Sequence, residues 1–557
     1  MQKKQTILVV ASLLVVVLSV TLAYFTAQII GKGKSVTINS ADLKIIFTDS
    51  DGSISGSNIE PGKWNVTKTF TIENKSNETY KYNIVIQDLV NTFVTNGYLQ
   101  YKITSTNGGY NMTEFKDVPK SSAPKDKILA YSVSIPVGVT QSYTVEFKYS
   151  NDESVDQSED MGKTLSGKLF ITEGTEDIYA GYEEGTLGYQ IMGDNITRLT
   201  RTDFNTTFTE TNTGTLYKAT ESIAGNTPKD VYYFAGDAKN NWVKFGKYQN
   251  DLIRYRGYYS TTATSYIEYS TMDECTSASS YNINCTEYKY ANTGDDIYWR
   301  IIRTNSDGSI RLLYSGTSPD TTEGYIGTSA FITTGNDPMY VGYKYGTTGS
   351  LENNRLNTNN STIKAYIDNW YNNNLSSYSK YISTEAVYCN DRELAPGQTY
   401  STSSNFDYAP VGRLDTNKTP TYNCTNIKDA FSGSNSEAKL TYPIGLMTAD
   451  ELAYAGGSVR TGLFSPYAWY YTNRAGGSIT GSTYWWSLSP FYWDGSVSCV
   501  WIVGGSSLIS GSLDRNVVDD VSNGARPVLS LKSCIKYSTG NGTPETPYEI
   551  VETESDC

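Results

Sequence analysis

The chain has 557 residues, a net charge of −13, 38% hydrophobic residues and no histidine. That length predicts two or three domains. The acidic balance, with no Lys/Arg cluster beyond the N-terminus, speaks against nucleic acid as a partner, because a phosphate backbone needs concentrated positive charge. Without histidine there is no Ser-His-Asp or Cys-His catalysis and no His-ligated metal site, so any enzyme here would work through carboxylates, Tyr, Lys or Cys.

Residues 1–27 form an export segment. Lys3 and Lys4 make a basic start, Ile7 to Phe25 runs uncharged, and Thr21-Leu22-Ala23 offers small residues for cleavage. The apolar run is also near the length of a membrane-spanning helix, so a cleaved signal and a retained anchor both fit. Either places the remainder outside the cytoplasm, at the cell surface or beyond it.

From 35 to 172 the chain alternates with period two. Trp64, Val66, Phe70 and Ile72 share one face, as do Tyr80, Tyr82, Ile84 and Ile86, and Tyr143, Val145, Phe147 and Tyr149. Such strands, separated by breaks like Asn74–Asn77, predict an antiparallel β-sandwich. The acidic loop Asp152, Glu153, Asp156, Glu159 and Asp160 carries the oxygen ligands that Ca²⁺ prefers, but it reads first as a solvated loop. Ca²⁺ is the only cofactor the residues bring into question. Asp49-Ser50-Asp51-Gly52 reads as a turn, and its word SDGSI recurs at Ser306–Ile310 as a hairpin turn.

Residues 173–222 are polar and Gly/Thr-rich and read as a connector. From 223 to 557 the chain is globular again. The segments around Tyr232 and Val243 read as one hairpin, and those around Ile301 and Leu312 as another. Helical spacing of Ile363, Tyr366, Ile367 and Trp370 behind Ser361 predicts a helix over 362–373. Thr448 with Glu451 is a capping box for a helix over 449–455, and Gly456 ends it. Residues 374–440 read as a polar loop insertion.

The seven cysteines all lie at or after position 275 and include no CxxC. In an exported chain this spacing points to disulfides. Cys275–Cys285, Cys389–Cys424 and Cys534–Cys557 are the natural pairs, although spacing alone does not fix connectivity, and Cys499 is left as a buried thiol.

The stretch from Tyr484 to Lys532 contains Trp485, Trp486, Trp493 and Trp501 among short apolar runs and turns. One of Trp485 and Trp486 and one face of Val500–Val503 belong to a core, worth roughly 3 kcal/mol per large side chain. Tyr492, Trp493 and Asp494, with Ser496, Ser498, Asp519 and Asp520, make the candidate ligand face, since exposed aromatics stack on sugars or anchor protein contacts. Arg526 beside Pro527 reads as a structural group held by a buried acceptor. The pairs Asp295-Asp296 and Asp519-Asp520 do not read as catalytic dyads, because neighbours on a strand face opposite sides.

Two resemblances follow from ordered motifs. LAYFT, SADLKIIF, EPGKW and IPVGVTQSYTVEFKYS…GKTLSGKLFI, over roughly residues 7–172, resemble the TasA/camelysin family of secreted, jelly-roll-like β-proteins, some of which form biofilm fibres. This implies a dedicated signal peptidase and self-assembly by strand exchange. The order WRI…hairpin, a helix ending in Trp-Tyr, YPIGLMTADELAYAGG, YWWSLSP and GARPVLSLK is similar to bacterial surface domains of the formylglycine-generating-enzyme and C-type-lectin-like fold, most closely over 440–532. Ile444–Met447, Trp485–Pro490 and Arg526–Leu531 would be its strands. The enzymes of that fold use a cysteine pair with copper, and Cys499 stands alone here. The expectation is therefore a mainly β protein with minor α: a β-sandwich followed by an α+β lectin-like domain. It would be non-enzymatic and adhesin-like, with a surface glycan or protein as ligand. A fibre or biofilm-matrix subunit is the alternative, and a copper- or metal-dependent enzyme the remaining one.

Overall fold

A computed structural model describes residues 26–28, 35–40, 43–49, 54–55, 59–174 except 96, and 179–557 except 264–265, 270, 279–283, 506–509 and 553–556. The export segment up to Phe25 and the Ser50–Gly52 turn lie outside them. No helix among the described residues is long and apolar enough to cross a membrane. The chain is mainly β and divides into two compact units, 1–180 and 181–557.

The first unit contains two antiparallel sheets. One orders Ser35–Ser40, Leu43–Asp49, Asn65–Asn74, Thr140–Tyr149, Leu99–Ser105 and Lys116–Asp117; the other orders Thr26–Gln28, Leu165–Glu173, Tyr80–Asn91 and Ser121–Ile135, with Ile54–Ser55 beside Leu165–Glu173. Period-two burial dictates the inward face. Tyr143, Val145, Phe147 and Tyr149 are buried along one strand, and Phe70 and Ile72 beside them. They join Tyr82, Ile84, Ile86, Leu169 and Ile171 of the other sheet in one apolar cluster. Tyr143 pairs with Phe70 across strands, and their rings stack with centroids 4.9 Å apart. The 15-residue edge strand Ser121–Ile135 carries repeated register shifts and Lys127, features that discourage further pairing along an edge.

The second unit begins before residue 223. Residues 181–222, expected as a connector, form the helix Leu187–Asp194 and the strands Thr197–Leu199 and Thr215–Glu221. Their polar composition hides the burial of the adjacent Leu216 and Tyr217, one on each face of a strand in a nine-stranded sheet. In that sheet Asp296–Thr304 lies between Lys229–Tyr233 and Trp242–Lys247. Those two strands are therefore not the hairpin expected of them. Tyr233 pairs with Arg303 and Trp242 with Arg300, so a later strand fills the gap between them. The second hairpin forms as expected: Asp296–Thr304 pairs with Ile310–Tyr314 around the Ser306–Ser309 turn, with Gly308 at φ 82°. Ile310–Tyr314 continues to Val528–Leu531, and the chain end closes the sheet when Tyr548–Ile550 pairs in parallel with Trp242–Lys247.

Both expected helices form. In Thr362–Asn374 the Ser361 hydroxyl caps the Lys364 N–H, and Ile363, Ile367 and Trp370 are buried. In Ala449–Ala455 the capping box between Thr448 and Glu451 is complete, and Gly456 ends the helix at φ 125°. Ile444–Met447 is not a strand; it touches the sheet through one bridge, Gly445 to Val528. Disulfides join Cys275 to Cys285, Cys389 to Cys424 and Cys534 to Cys557, and Cys499 is a buried free thiol whose pKa burial pushes up to about 11.

Residues 374–440 are not a surface loop. Tyr388, Asn390, Arg392, Tyr408, Asp429 and Phe431 are all buried. The polar sequence is explained by buried ion pairs, which no hydrophobic period reveals.

Candidate functional site

The Trp-rich stretch builds a four-stranded antiparallel sheet ordered Phe406–Asp407, Trp485–Trp493, Ser498–Val503 and Leu513–Val517. The strand runs through Pro490 instead of turning there, with register shifts on both sides of it, which is where a sheet tolerates a residue lacking N–H. Trp493 is therefore inside the strand, flanked by Phe406 and Ser498, and is only 1% exposed. This corrects its expected surface role. Trp485 and Trp486 are both buried, and Val500–Val503 is buried on both faces, more than the expected one of each.

The other residues of the expected face gather at one end of this sheet. Val517 pairs with Cys499, and the Val518 N–H donates to Ser498 O, so the turn after Trp493 and the turn after Val517 are neighbours. Ser498 is fully buried and its hydroxyl donates to Asp337 O at 2.8 Å, which removes it from any ligand. Tyr492 is half-buried, with the Arg515 guanidinium 5.4 Å from its ring centroid. Asp494 and Ser496 are exposed, but Asp494 accepts from the Ser496 and Val497 N–H groups and the Ser496 hydroxyl. Burial alone would raise its pKa, and these donors hold it below the usual carboxylate range. Asp520 accepts from Asn516 and Ser522 in the same way, and Asp519 is exposed. These carboxylates shape their own turns.

The acidic loop of the first unit is similar. Asp152 accepts from Ser154 and Tyr98, Asp156 from Ser158, and Asp160 from the Val94 and Thr95 N–H groups and the Tyr149 hydroxyl, while Glu159 is exposed. Their carboxylates point to separate partners, and no group of three metal-ligating side chains occurs among the described residues. Asp295 accepts from the Asn292 N–H and Asp296 pairs with Lys247.

The structure places a cleft elsewhere, and the residues that make it were not singled out from the sequence. It has a volume of about 310 Å³. The end of strand Thr215–Glu221, the Ser306–Ser309 turn, residues 385–387 and residues 427–435 form its walls. Adjoining it is a second cavity of about 20 Å³, which shares Glu221, Ile223 and Val387 and holds room for about one water.

Buried charges hold these walls together. Glu221 accepts from Arg303 at 2.8 Å and from the Ser306 N–H at 2.6 Å. Glu451 closes its capping box with the Thr448 N–H and also meets Arg303 at 3.1 Å and Arg311 at 2.6 Å. Arg413 bridges Asp391 (2.7 Å) and both oxygens of Asp450 (3.1 and 2.8 Å). Asp429 accepts from Arg355 and Arg392. Burial raises the Asp391 pKa above the usual carboxylate value, its arginine partner notwithstanding. The Cys389–Cys424 bond pins this wall to the neighbouring strand end, where the Ala224 N–H donates to Cys424 O at 2.7 Å.

Arg526 is fully buried. Its guanidinium donates to Tyr314 O and Tyr470 O and lies 4.8 Å from the Trp485 ring centroid, as a structural arginine should.

Compared with known proteins, the chain matches no family model and no curated protein.

Proposed function

We propose that this protein is an exported bacterial cell-surface protein that binds a ligand without transforming it. In this reading the first unit is a jelly-roll-like β-sandwich serving attachment or assembly. The second is a C-type-lectin-like domain that displays the binding site. The observation that carries the proposal is the cleft of about 310 Å³, at the lower end of small-ligand sites, walled by hydrogen-bonding groups and fixed by a disulfide and buried ion pairs. A rigid, prepaid wall is what a binding site needs, because little ordering cost remains at association. The three disulfides fit the oxidising space outside the cytoplasm.

The test is a screen of the purified protein against glycan and peptide arrays, repeated with Ser434→Trp, which crowds an exposed position of the cleft wall, and with Asp494→Ala on the Trp-rich sheet. The cleft reading expects binding that Ser434→Trp abolishes and Asp494→Ala preserves. The opposite pattern would return the site to the sheet end.

A further inference from the structure

One buried ion pair of the second unit is built unlike the others. Lys364 and Asp368 are both buried, one turn apart on the helix Thr362–Asn374. The Lys364 Nζ lies 2.5 Å from Asp368 Oδ1 and also contacts Oδ2. Glu221, Glu451, Asp429 and Asp450 each accept from an arginine and from a backbone N–H. Asp368 accepts from Lys364 alone among the described residues, and the Lys364 ammonium, with three donors, reaches no other acceptor there. Tyr343 and Lys344 face the pair. The Tyr343 ring centroid is 5.6 Å from Nζ and its hydroxyl donates to Ile444 O, while the Lys344 ammonium is directed to Lys439 O.

A lone ammonium and a lone carboxylate taken out of water, with no further hydrogen bonds, regain little of the hydration they lost. Both are driven toward their neutral forms. Burial pulls the Lys364 amine below its usual pKa and pushes the Asp368 carboxyl above its own. A neutral amine is a nucleophile and a neutral carboxylic acid can receive it. The helix backbone holds the two in contact, which removes the entropy cost of bringing them together.

We propose that Lys364 and Asp368 condense to an intramolecular amide, a side-chain lactam across one turn of the helix, with release of one water. Once a proton has passed from Nζ to the carboxylate, the Nζ lone pair forms a bond to Cγ. The Cγ–Oδ bond then breaks, and the departing hydroxyl takes a second Nζ proton and leaves as water. Nothing is oxidised or reduced. The Lys364 side chain is 1% exposed and that of Asp368 12%, so the carboxyl side gives the water a way out. The product is a neutral amide in place of two buried charges. Neither residue lines the cleft, so this modification stands apart from ligand binding.

Peptide mapping of the whole purified protein tests it. Trypsin cuts after a free lysine, so an unmodified chain gives separate peptides 356–364 and 365–380. A lactam predicts one uncut peptide 356–380, lighter by one water, with no fragment ions from breaks between 364 and 368. Lys364→Arg, which keeps the charge and cannot condense, should restore the full mass and the cut after position 364. Cutting at Lys364 with Asp368 at full mass overturns the lactam. So does a water loss that survives Lys364→Arg, or one that mild alkali reverses, since either marks a succinimide formed by Asp368 with the N–H of Asn369. The alkali arm needs no variant and decides the matter even if Lys364→Arg does not fold.

Discussion

The two units hold themselves together by different means. The first is built on one apolar cluster, contributed alternately by the strands of two sheets. The second threads its interior with charge: Arg254, Arg300, Arg303, Arg311, Arg392 and Arg526 are all nearly or fully buried, several against carboxylates and others against backbone carbonyls. Period-two strands supply their own hydrogen bonds and need only side-chain packing. The irregular segments of the second unit leave carbonyls without ladder partners, and a buried guanidinium, with five donors, can satisfy several of them together. The unit with regular strands has an even core; the unit with irregular walls has a cleft.

Substitutions can break this contrast in order of size. Glu451→Ala strips Arg303 and Arg311 of a shared buried partner and should cost the second unit about 3–5 kcal/mol. Phe147→Ala should cost the first unit a comparable amount, about 3–5 kcal/mol, through lost packing. Trp64 lies in the first unit and the other eight of the nine tryptophans in the second, so denaturation followed by tryptophan emission reads the second unit, and hydrogen exchange of peptides from 65–149 reads the first. Each substitution should move its own unit. If Phe147→Ala shifted the tryptophan transition as strongly as Glu451→Ala, the separation would fail.

Replacing Cys389 and Cys424 by serine opens a 35-residue loop and should cost about 2–5 kcal/mol, seen as faster exchange at 385–391 and 421–435. Next in size is Asp160→Asn, at about 1–3 kcal/mol at neutral pH, because the Val94 and Thr95 N–H groups and the Tyr149 hydroxyl lose a charged acceptor. Burial would raise the Asp160 pKa, but those donors hold it below the usual value. A depressed pKa contributes stability above the ordinary carboxylate value of about 3.9 and loses it as pH falls through the folded value, so the cost of Asp160→Asn should shrink in acid. Denaturant midpoints at pH 7 and pH 3 check this. Glu385→Gln should change stability by no more than about 0.5 kcal/mol, since the side chain is exposed.

Much of this architecture was legible beforehand. Alternation exposed the inward faces around Phe70, Tyr82 and Phe147, and the capping box at Thr448 and Glu451 marked its helix to the residue. Those signals are local. What escaped was long-range or polar. Glu221 and Arg303 are 82 positions apart in sequence and form one buried pair, so residues 173–222 and 374–440 looked like solvent-facing chain. A proline reads as a strand end, so the sequence alone puts Trp493 beyond the strand, whereas a bulge carries the strand past Pro490. The cleft combines both difficulties: its walls include a hairpin turn and parts of the 374–440 segment, and nothing adjacent to either announces the other.

The most direct measurement is hydrogen exchange of the whole protein with and without a ligand taken from the array screen. The account predicts slower exchange on binding at 385–391 and 427–435, unchanged exchange at 492–498, and loss of that protection in Ser434→Trp. Protection confined to 492–498 and 514–523, or none at the cleft, would contradict it.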